Sequence, residues 1–214
     1  MRNRTDFSPQ PGADLPVRSA AVPIVGVTAA QDAVGALDDS VLAIRASEGD
    51  EDAFAVLVRR HSSRLLALAQ HLLGNRADAE DAVQDAFISA WRRLPEFRHS
   101  AGFSTWMYRI VTNRCLNALR RRPHPLPLDA VPEPTATDAN SSPPKAAETD
   151  AATAALTQAL LELGPELRAC WVLRELHGLH YEEIAHVVGS NEQTVRGRLF
   201  RARRALMEAM RPWR

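Results

Sequence analysis

Three observations make this an all-α sequence of two small helical domains. Apolar residues recur at helical spacing in both halves, no alternating run of β-branched residues supports a strand, and the prolines cluster where helices must stop. Four prolines fall at 9, 11, 16 and 23, and seven between Pro123 and Pro144; only Pro95, Pro165 and Pro212 lie elsewhere. The pattern divides the chain into an N-terminal arm (1–37) expected to be disordered, a domain at 38–122, a Pro-rich linker at 123–152 and a smaller domain at 153–212. The linker's Pro, Thr, Ser, Asn and acidic residues bury too little apolar surface to offset ordering entropy, which predicts flexibility.

The elements follow in order. In the arm, the most apolar run, Ala20 to Ala30, holds Pro23, Gly26 and Thr28 and is far shorter than a membrane span. Asp6, Pro9 and Pro11 interrupt the place where a signal peptide would be apolar, so a cytoplasmic protein is expected. The arm is expected to be real but disordered; a regulatory segment and a misplaced start at Met1 are the two readings of it. From Phe54 to Leu73 a long stripe (Phe54, Val56, Leu57, Leu65, Leu68, Ala69, Leu72) predicts a helix ended by Gly74-Asn75. Ala79, Ala82, Val83, Ala86, Phe87, Ala90 and Trp91 predict the next, whose other face carries Asp78, Asp81, Gln84, Asp85 and Arg92. Asp78 suits the start of that helix, where a carboxylate meets unpaired N–H groups. Trp106 to Arg122 predicts a third helix, stopped by Pro123.

The second domain carries the sharper motif. A short helix with small Ala185 facing inward is followed by Gly189, and a new helix opens at Ser190 with Gln193 three residues on, as in a capping box. Val195 then falls where it packs back on the first helix. This spacing is that of a helix-turn-helix. Its second helix holds Arg196, Arg198, Arg201, Arg203 and Arg204 with no acid among them, beside Thr194 and Phe200. A charge run is usually a solvated face, but five unpaired arginines after a capped turn favour DNA. Arginine grips guanine O6 and N7 bidentately, and phosphate as well.

Upstream, Phe97, Arg98, His99, Phe103, Trp106, Tyr108 and Arg109 cluster in a chain with only 6% aromatics, followed by Asn113, Arg114, Asn117, Arg120, Arg121 and Arg122. Aromatic and basic residues interleaved in this way suit single-stranded nucleic acid; Phe103, Trp106, Met107 and Ile110 serve equally as core. Overall, 26 Lys plus Arg balance 26 Asp plus Glu, and Lys145 is the only lysine. Zero net charge excludes a broadly basic non-specific binder and conceals a local segregation. The stretch Pro123–Ala154 has five acids against one lysine, whereas Asn113–Arg122 has four arginines and no acid. Cys115 and Cys170 form no C-x-x-C and read as small buried hydrophobes. His177-x-x-His180, His186 and Cys170 fall short of a ligand set, so no metal or cofactor is expected. No nucleophile–base motif or phosphate loop appears, so no catalytic residue is assigned.

These blocks together resemble the extracytoplasmic-function (ECF) sigma factors of bacterial RNA polymerase. The matching segments are Asp78-Ala-Glu-Asp-Ala-Val-Gln-Asp-Ala-Phe-Ile-Ser-Ala-Trp-Arg92, Phe97 through Asn113, and Leu163-Gly-Pro-Glu-Leu-Arg168 through Tyr181-Glu-Glu-Ile-Ala185 to Thr194-Val-Arg-Gly-Arg-Leu-Phe-Arg-Ala-Arg203. The resemblance implies a specificity subunit rather than an enzyme. Asp78, Asp81, Gln84, Asp85, Trp91 and Arg92 would dock on the β′ clamp helices of core polymerase, and the second domain on the β flap. Arg98, Phe103, Trp106, Arg109, Asn113, Arg114, Asn117, Arg120 and Arg121 would capture and open the −10 element, a base being flipped into the loop near Arg98–Phe103. Thr194, Arg196, Arg198, Phe200, Arg201 and Arg203 would read the −35 element. An anti-sigma protein is the expected controlling partner, and association with the nucleoid is expected within the holoenzyme. Gly197, Asn191 and the Ser100-Ala101-Gly102 loop depart from the family's common residues. The rival from another class is a stand-alone helix-turn-helix regulator, which leaves the aromatic–basic cluster and the acidic helix face without a role.

Overall fold

The computed structural model describes residues 36–97, 102–121 and 144–213, with backbone only for 144–150. The arm before Ala36, the loop residues 98–101 and the segment 122–143 lie outside the described residues. Every element is helical, as the periodicity requires: α1 (Asp39–Ser47), α2 (Glu51–Leu73), α3 (Arg76–Arg93), α4 (Phe103–Arg121), α5 (Pro144–Glu162), α6 (Pro165–Trp171), α7 (Tyr181–Val188) and α8 (Glu192–Ala209). Short 3₁₀ turns follow α3 and α8, and a π-helical turn, Val172–Leu176, follows α6. α5 begins at Pro144, within the stretch read from composition as linker; its alanines, good helix formers, outweigh the polar residues beside them.

Caps set the helix ends. α2 starts on Asp50, whose carboxylate accepts from the Ala53 amide at 2.9 Å, and α3 starts on Asn75, whose side chain accepts from the Asp78 amide at 3.1 Å. Asp78 lies in the first turn of α3, at the positive end of the helix, where the sequence places it. Likewise α8 is capped by Asn191, which accepts from Thr194 at 2.8 Å, and not by Ser190. Gly189 takes the left-handed conformation expected between the two helices of the helix-turn-helix (φ 63°).

The first four helices pack into one bundle, α2 lying against α1, α3 and α4. Asp39 clamps α1 to α2 by accepting from Arg60 and by contact with His61, each at 2.7 Å; although partly desolvated, its carboxyl is held below the ordinary range by these partners. In the second half α8 packs on α5, α6 and α7. The two halves meet through α4 against α7 and through α2 against α5 and α6, and one buried cluster runs across both, from Leu42 and Leu57 through Met107 and Val111 to Cys170, Leu173 and Ile184.

Two residues fasten that joint. Arg168 is buried, and an unpaired buried guanidinium would be costly. Its N–H groups donate to the Leu72 carbonyl at the end of α2 and to the Leu161 and Leu163 carbonyls at the end of α5, acceptors that helix ends leave without intrahelical partners. Gly74 ends α2 with φ 71°, and Leu161 lies over it so closely that a Cβ there would stand 2.6 Å from the leucine Cδ2. Glycine is needed twice at that position, for conformation and for space.

Candidate nucleic-acid interface

α3 is the ridge around which the first half of the site is built. Asp81, Gln84, Asp85, Ile88 and Arg92 are exposed along it, while Ala79, Val83, Ala86 and Phe87 are buried beneath. A groove runs along each side. One, of about 870 Å³, lies between α2 and α3 and is lined by Phe54, Val58, Leu66, Phe87, Ile88 and Trp91, with Gln84 and Arg92 at its rim. Trp91 is half-buried against Phe54, ring centroids 4.9 Å apart. The other, of about 690 Å³, lies between α3 and α4; Asp78, Asp81 and Asp85 line one wall and Trp106, Arg109, Asn113, Arg114, Asn117 and Arg121 the other. The structure thus divides the six residues expected to meet polymerase: three carboxylates turn toward the polar cleft, and Gln84, Trp91 and Arg92 toward the apolar groove.

Most residues expected at the −10 element share that polar cleft. Arg114 donates to Asp85 at 2.8 Å and to the Ser89 hydroxyl at 2.6 Å, so a candidate DNA contact and a candidate polymerase contact are joined across it. Arg120 turns away, donating to Glu166 of α6 at 3.2 Å. Phe103 corrects the sequence reading. It is 3% exposed, packed edge-to-face on Phe97 and beside His61 and Trp106, and so is core rather than a surface on which a base could stack. Trp106 stays half-exposed, 4.8 Å from the Phe97 ring. Arg98 lies outside the described residues.

α8 forms the second half of the site. Val195, Leu199, Ala202 and Leu206 bury its inner face, which turns Gln193, Arg196, Gly197, Phe200, Arg201 and Arg204 outward. Phe200 is 68% exposed, an uncommon state for so large an apolar ring. Arg201 is exposed and donates only to the Gly197 carbonyl at 3.3 Å among its hydrogen bonds here. Arg196 pairs with Glu192 at 3.1 Å, with its guanidinium near the Tyr181 ring. Arg203 lies at one edge on Glu175 at 2.6 Å, a hydrogen bond that raises its pKa further. Arg198 lies at the other flank, only 20% exposed and 3.9 Å from Glu166. Thr194 is half-buried at the N-terminal turn. Gln193 and Arg204 were outside the expected contact set but share the outward face; their spacing of seven before and four after Phe200 is the signal that places them there.

The histidines and cysteines serve packing. His177 Nδ1 lies 3.1 Å from the Tyr108 hydroxyl across the joint, and burial, with His71 and Arg64 nearby, lowers its pKa to about 4. His180 precedes α7, its amide donating to Glu183, and His186 lies 3.5 Å from Arg109. Cys115 and Cys170 are free and buried; burial pushes the Cys115 thiol up to about 12 and raises that of Cys170. Among the described residues no three His, Cys, Asp or Glu side chains gather as a metal site, and no helix is long and apolar enough to cross a membrane.

Comparison with known proteins places the chain in a family. Residues 57–123 match Sigma-70 region 2, and residues 153–206 match Sigma-70, region 4. The RNA polymerase sigma-H factor of Pseudomonas aeruginosa is 37% identical over 185 residues, covering 81% of this chain and 94% of that one. The ECF RNA polymerase sigma-E factor of Escherichia coli K12 is 36% identical over 184 residues, covering 82% and 96%. Among solved structures, CnrH in complex with the cytosolic domain of CnrY aligns with TM-score 0.61 at 29% identity, over 80% of this chain and 96% of that one. RpoE of Bartonella quintana, in complex with the anti-sigma factor NepR, shares the fold with TM-score 0.57 at 23% identity, over 73% and 96%. The chain belongs to the extracytoplasmic-function RNA polymerase sigma factors and is an alternative sigma factor that directs promoter-specific transcription.

Proposed function

We propose that this sigma factor binds core RNA polymerase through the α3 ridge, opens the −10 element along the α3–α4 cleft, and reads the −35 element with α8. The observation that carries the reading is the outward face of α8: a helix capped by Asn191, opening after a left-handed glycine, that displays Arg196, Phe200, Arg201 and Arg204 together. Such a face fits a major groove, where guanidinium forks meet guanine and a ring meets a thymine methyl. Asp81, Gln84 and Asp85 on the α3 ridge would meet the β′ clamp helices, with Trp91 and Arg92 at the rim of the apolar groove and Asp78 at its N-terminal end; the second half would meet the β flap. In the cleft they line, Trp106 would stack on an unpaired base while Arg109, Asn113, Arg114, Asn117 and Arg121 would follow the backbone. The α1–α4 bundle and the α5–α8 unit are proposed as the two working domains. No reaction is assigned to the protein: its part is recognition, carried out in the cytoplasm, on the nucleoid when in holoenzyme. Control by an anti-sigma protein is supported by the similarity to sigma factors solved with their partners.

Reconstitution with core polymerase, followed by sequencing of transcript starts, tests the reading. The expected result is a set of starts sharing one −35 and one −10 sequence, with little duplex binding by the free factor. Tight sequence-specific duplex binding without polymerase, and no shared promoter among the transcripts, would overturn these assignments in favour of a stand-alone regulator.

A further inference from the structure

The groove between α2 and α3 is walled mainly by apolar side chains. Phe54, Val58, Leu66 and Trp91 are half-buried along it, and Ile88 is 44% exposed. A contiguous apolar surface of this kind marks a docking site. Phe54 meets Trp91 at 4.9 Å, so the start of α2 lies beside the end of α3 and the two helices run antiparallel. Arg92 therefore rims one end of the groove, and Glu80, exposed and paired with Arg76, rims the other. From Phe54 to Leu66 the α2 wall is about 18 Å long, at 1.5 Å per residue.

The same chain carries a segment that fits this groove. Between Arg18 and Asp32 no charged residue occurs, and Val22, Ile24, Val25 and Val27 fall there, in the most apolar run of residues 1–35. Extended, Val22 to Val27 spans about 17 Å, the length of the groove wall. Pro23 has no N–H, so seating this run takes one fewer backbone donor from water. Charge favours one direction, with Arg18 toward Glu80 and Asp32 toward Arg92. The root of the arm favours the same direction. Leu37 packs on the buried cluster, and α1 packs on the turn Leu94–Glu96 that follows Arg92. The chain from Val27 to Leu37 reaches about 33 Å, ample to round a helix about 10–12 Å across. We propose that Val22–Val27 of the N-terminal arm docks in the α2–α3 groove of its own chain and covers the rim formed by Gln84, Trp91 and Arg92. Because that rim is proposed to meet polymerase, arm and polymerase compete, and each lowers the affinity of the other. The competition rests on the α3 docking assignment; the seating of the arm does not.

A nitroxide attached at Thr28→Cys in the full-length factor tests the seating. Cys115 and Cys170 are buried and their thiol pKa values raised, so the introduced thiol is labelled selectively. Paramagnetic broadening of methyl NMR signals is read at Val58, Leu66 and Ile88 in the groove, and at Val41 and Ile44, exposed on α1 beside the arm's root. The docked arm broadens the groove methyls most, and Ile24→Ser with Val27→Ser abolishes that preference. Both substitutions lie outside the bundle, so a failure to fold does not account for the loss. Broadening as strong at Val41 and Ile44 as in the groove, or unchanged by the double substitution, overturns the inference. The unlabelled double variant is also expected to bind core polymerase about three- to tenfold more tightly, the factor set by an arm docked in roughly 70–90% of molecules. Affinity equal to that of the wild type overturns the inference. Asp81→Ala, measured alongside, separates the causes: if it weakens binding, the docking assignment stands without the arm, and if it changes nothing, the docking assignment falls as well.

Discussion

The cleft between α3 and α4 and the outward face of α8 are both rich in arginine, yet they keep those arginines differently. In the cleft, Asp78, Asp81 and Asp85 face Arg109, Arg114 and Arg121, and the Arg114–Asp85 pair is closed at 2.8 Å. On α8 the carboxylates stand only at the margins, Glu192 at the N-terminus, Glu175 at one edge and Glu166 at the other, while Phe200, Arg201 and Arg204 face outward. Under the proposed assignment, the difference separates a face suited to reading intact duplex from a cleft suited to strand opening. A rigid face that docks on intact duplex gains from ready guanidinium forks. If the cleft takes unpaired strand, as proposed, its own acids must first be drawn away, which the proposed docking of polymerase on the same α3 carboxylates would accomplish.

The strongest test of this contrast sets Arg201→Ala against Arg114→Ala in reconstituted holoenzyme. A bidentate contact to a base contributes roughly 1–3 kcal/mol of discrimination, so Arg201→Ala is expected to lower −35-dependent transcription about tenfold or more while a promoter with a scrambled −35 element is unaffected. Arg114→Ala is expected to lower both promoters alike, because its work lies downstream of −35 reading. Equal losses from the two variants on the two promoters would erase the distinction between the regions.

Much of this contrast was legible in the chain and part of it was not. The helical stripes of α2, α3 and α8, the stop at Gly74 and the turn at Gly189 all follow from local period and local backbone preference, and they stand where the sequence puts them. The cap of α8 shifted by one residue, from Ser190 to Asn191, because several polar residues near a helix start compete and side-chain geometry chooses among them. Phe103 was misread for a deeper reason: an aromatic among cations has the same composition whether it faces solvent or core, and only the neighbours Phe97, His61 and Trp106 decide. The joint between the halves was invisible. Arg120 and Glu166 lie 46 residues apart and Tyr108 and His177 lie 69 apart, separations with no periodicity to betray them.

A smaller effect probes how each region's supporting helix is held. Asn75 caps α3 and Asn191 caps α8 in the same way, each side chain accepting from the amide three residues on. Replacing either by alanine is expected to cost about 1 kcal/mol, roughly a fivefold change in the folding equilibrium. The functional costs differ. Asn191→Ala frays the end of α8 proposed to enter the groove, so −35 selectivity is expected to fall along with stability. Asn75→Ala loosens the start of α3, so affinity for core polymerase falls instead. Chemical denaturation, polymerase binding and promoter selectivity measured on both variants separate the two regions; the opposite assignment of losses would reverse their roles.

The joint between the regions is the last place to press, and pH presses it. His177 sits against the Tyr108 hydroxyl with His71 and Arg64 nearby, and burial keeps it neutral with a pKa near 4. With the halves apart the imidazole returns toward its ordinary 6.5. A pKa depressed by packing means that the packed form is favoured in full above about pH 6.5 and loses that advantage as the pH falls toward 4. Between pH 7.5 and 5.5 the halves are therefore expected to separate by a few-fold in population, a modest shift because the ring is not wholly buried. Asp39 and Asp50 titrate below this window, their pKa values lying under the ordinary 3.8, so acid loosening of the α1–α2 clamp does not intrude. Small-angle scattering across this range is expected to show a radius of gyration that grows on acidification in the wild type and is insensitive to pH in His177→Gln, which keeps a hydrogen-bonding group but cannot take the proton. An equal pH response in both proteins would assign the titration elsewhere and leave the contact between Tyr108 and His177 a packing contact alone.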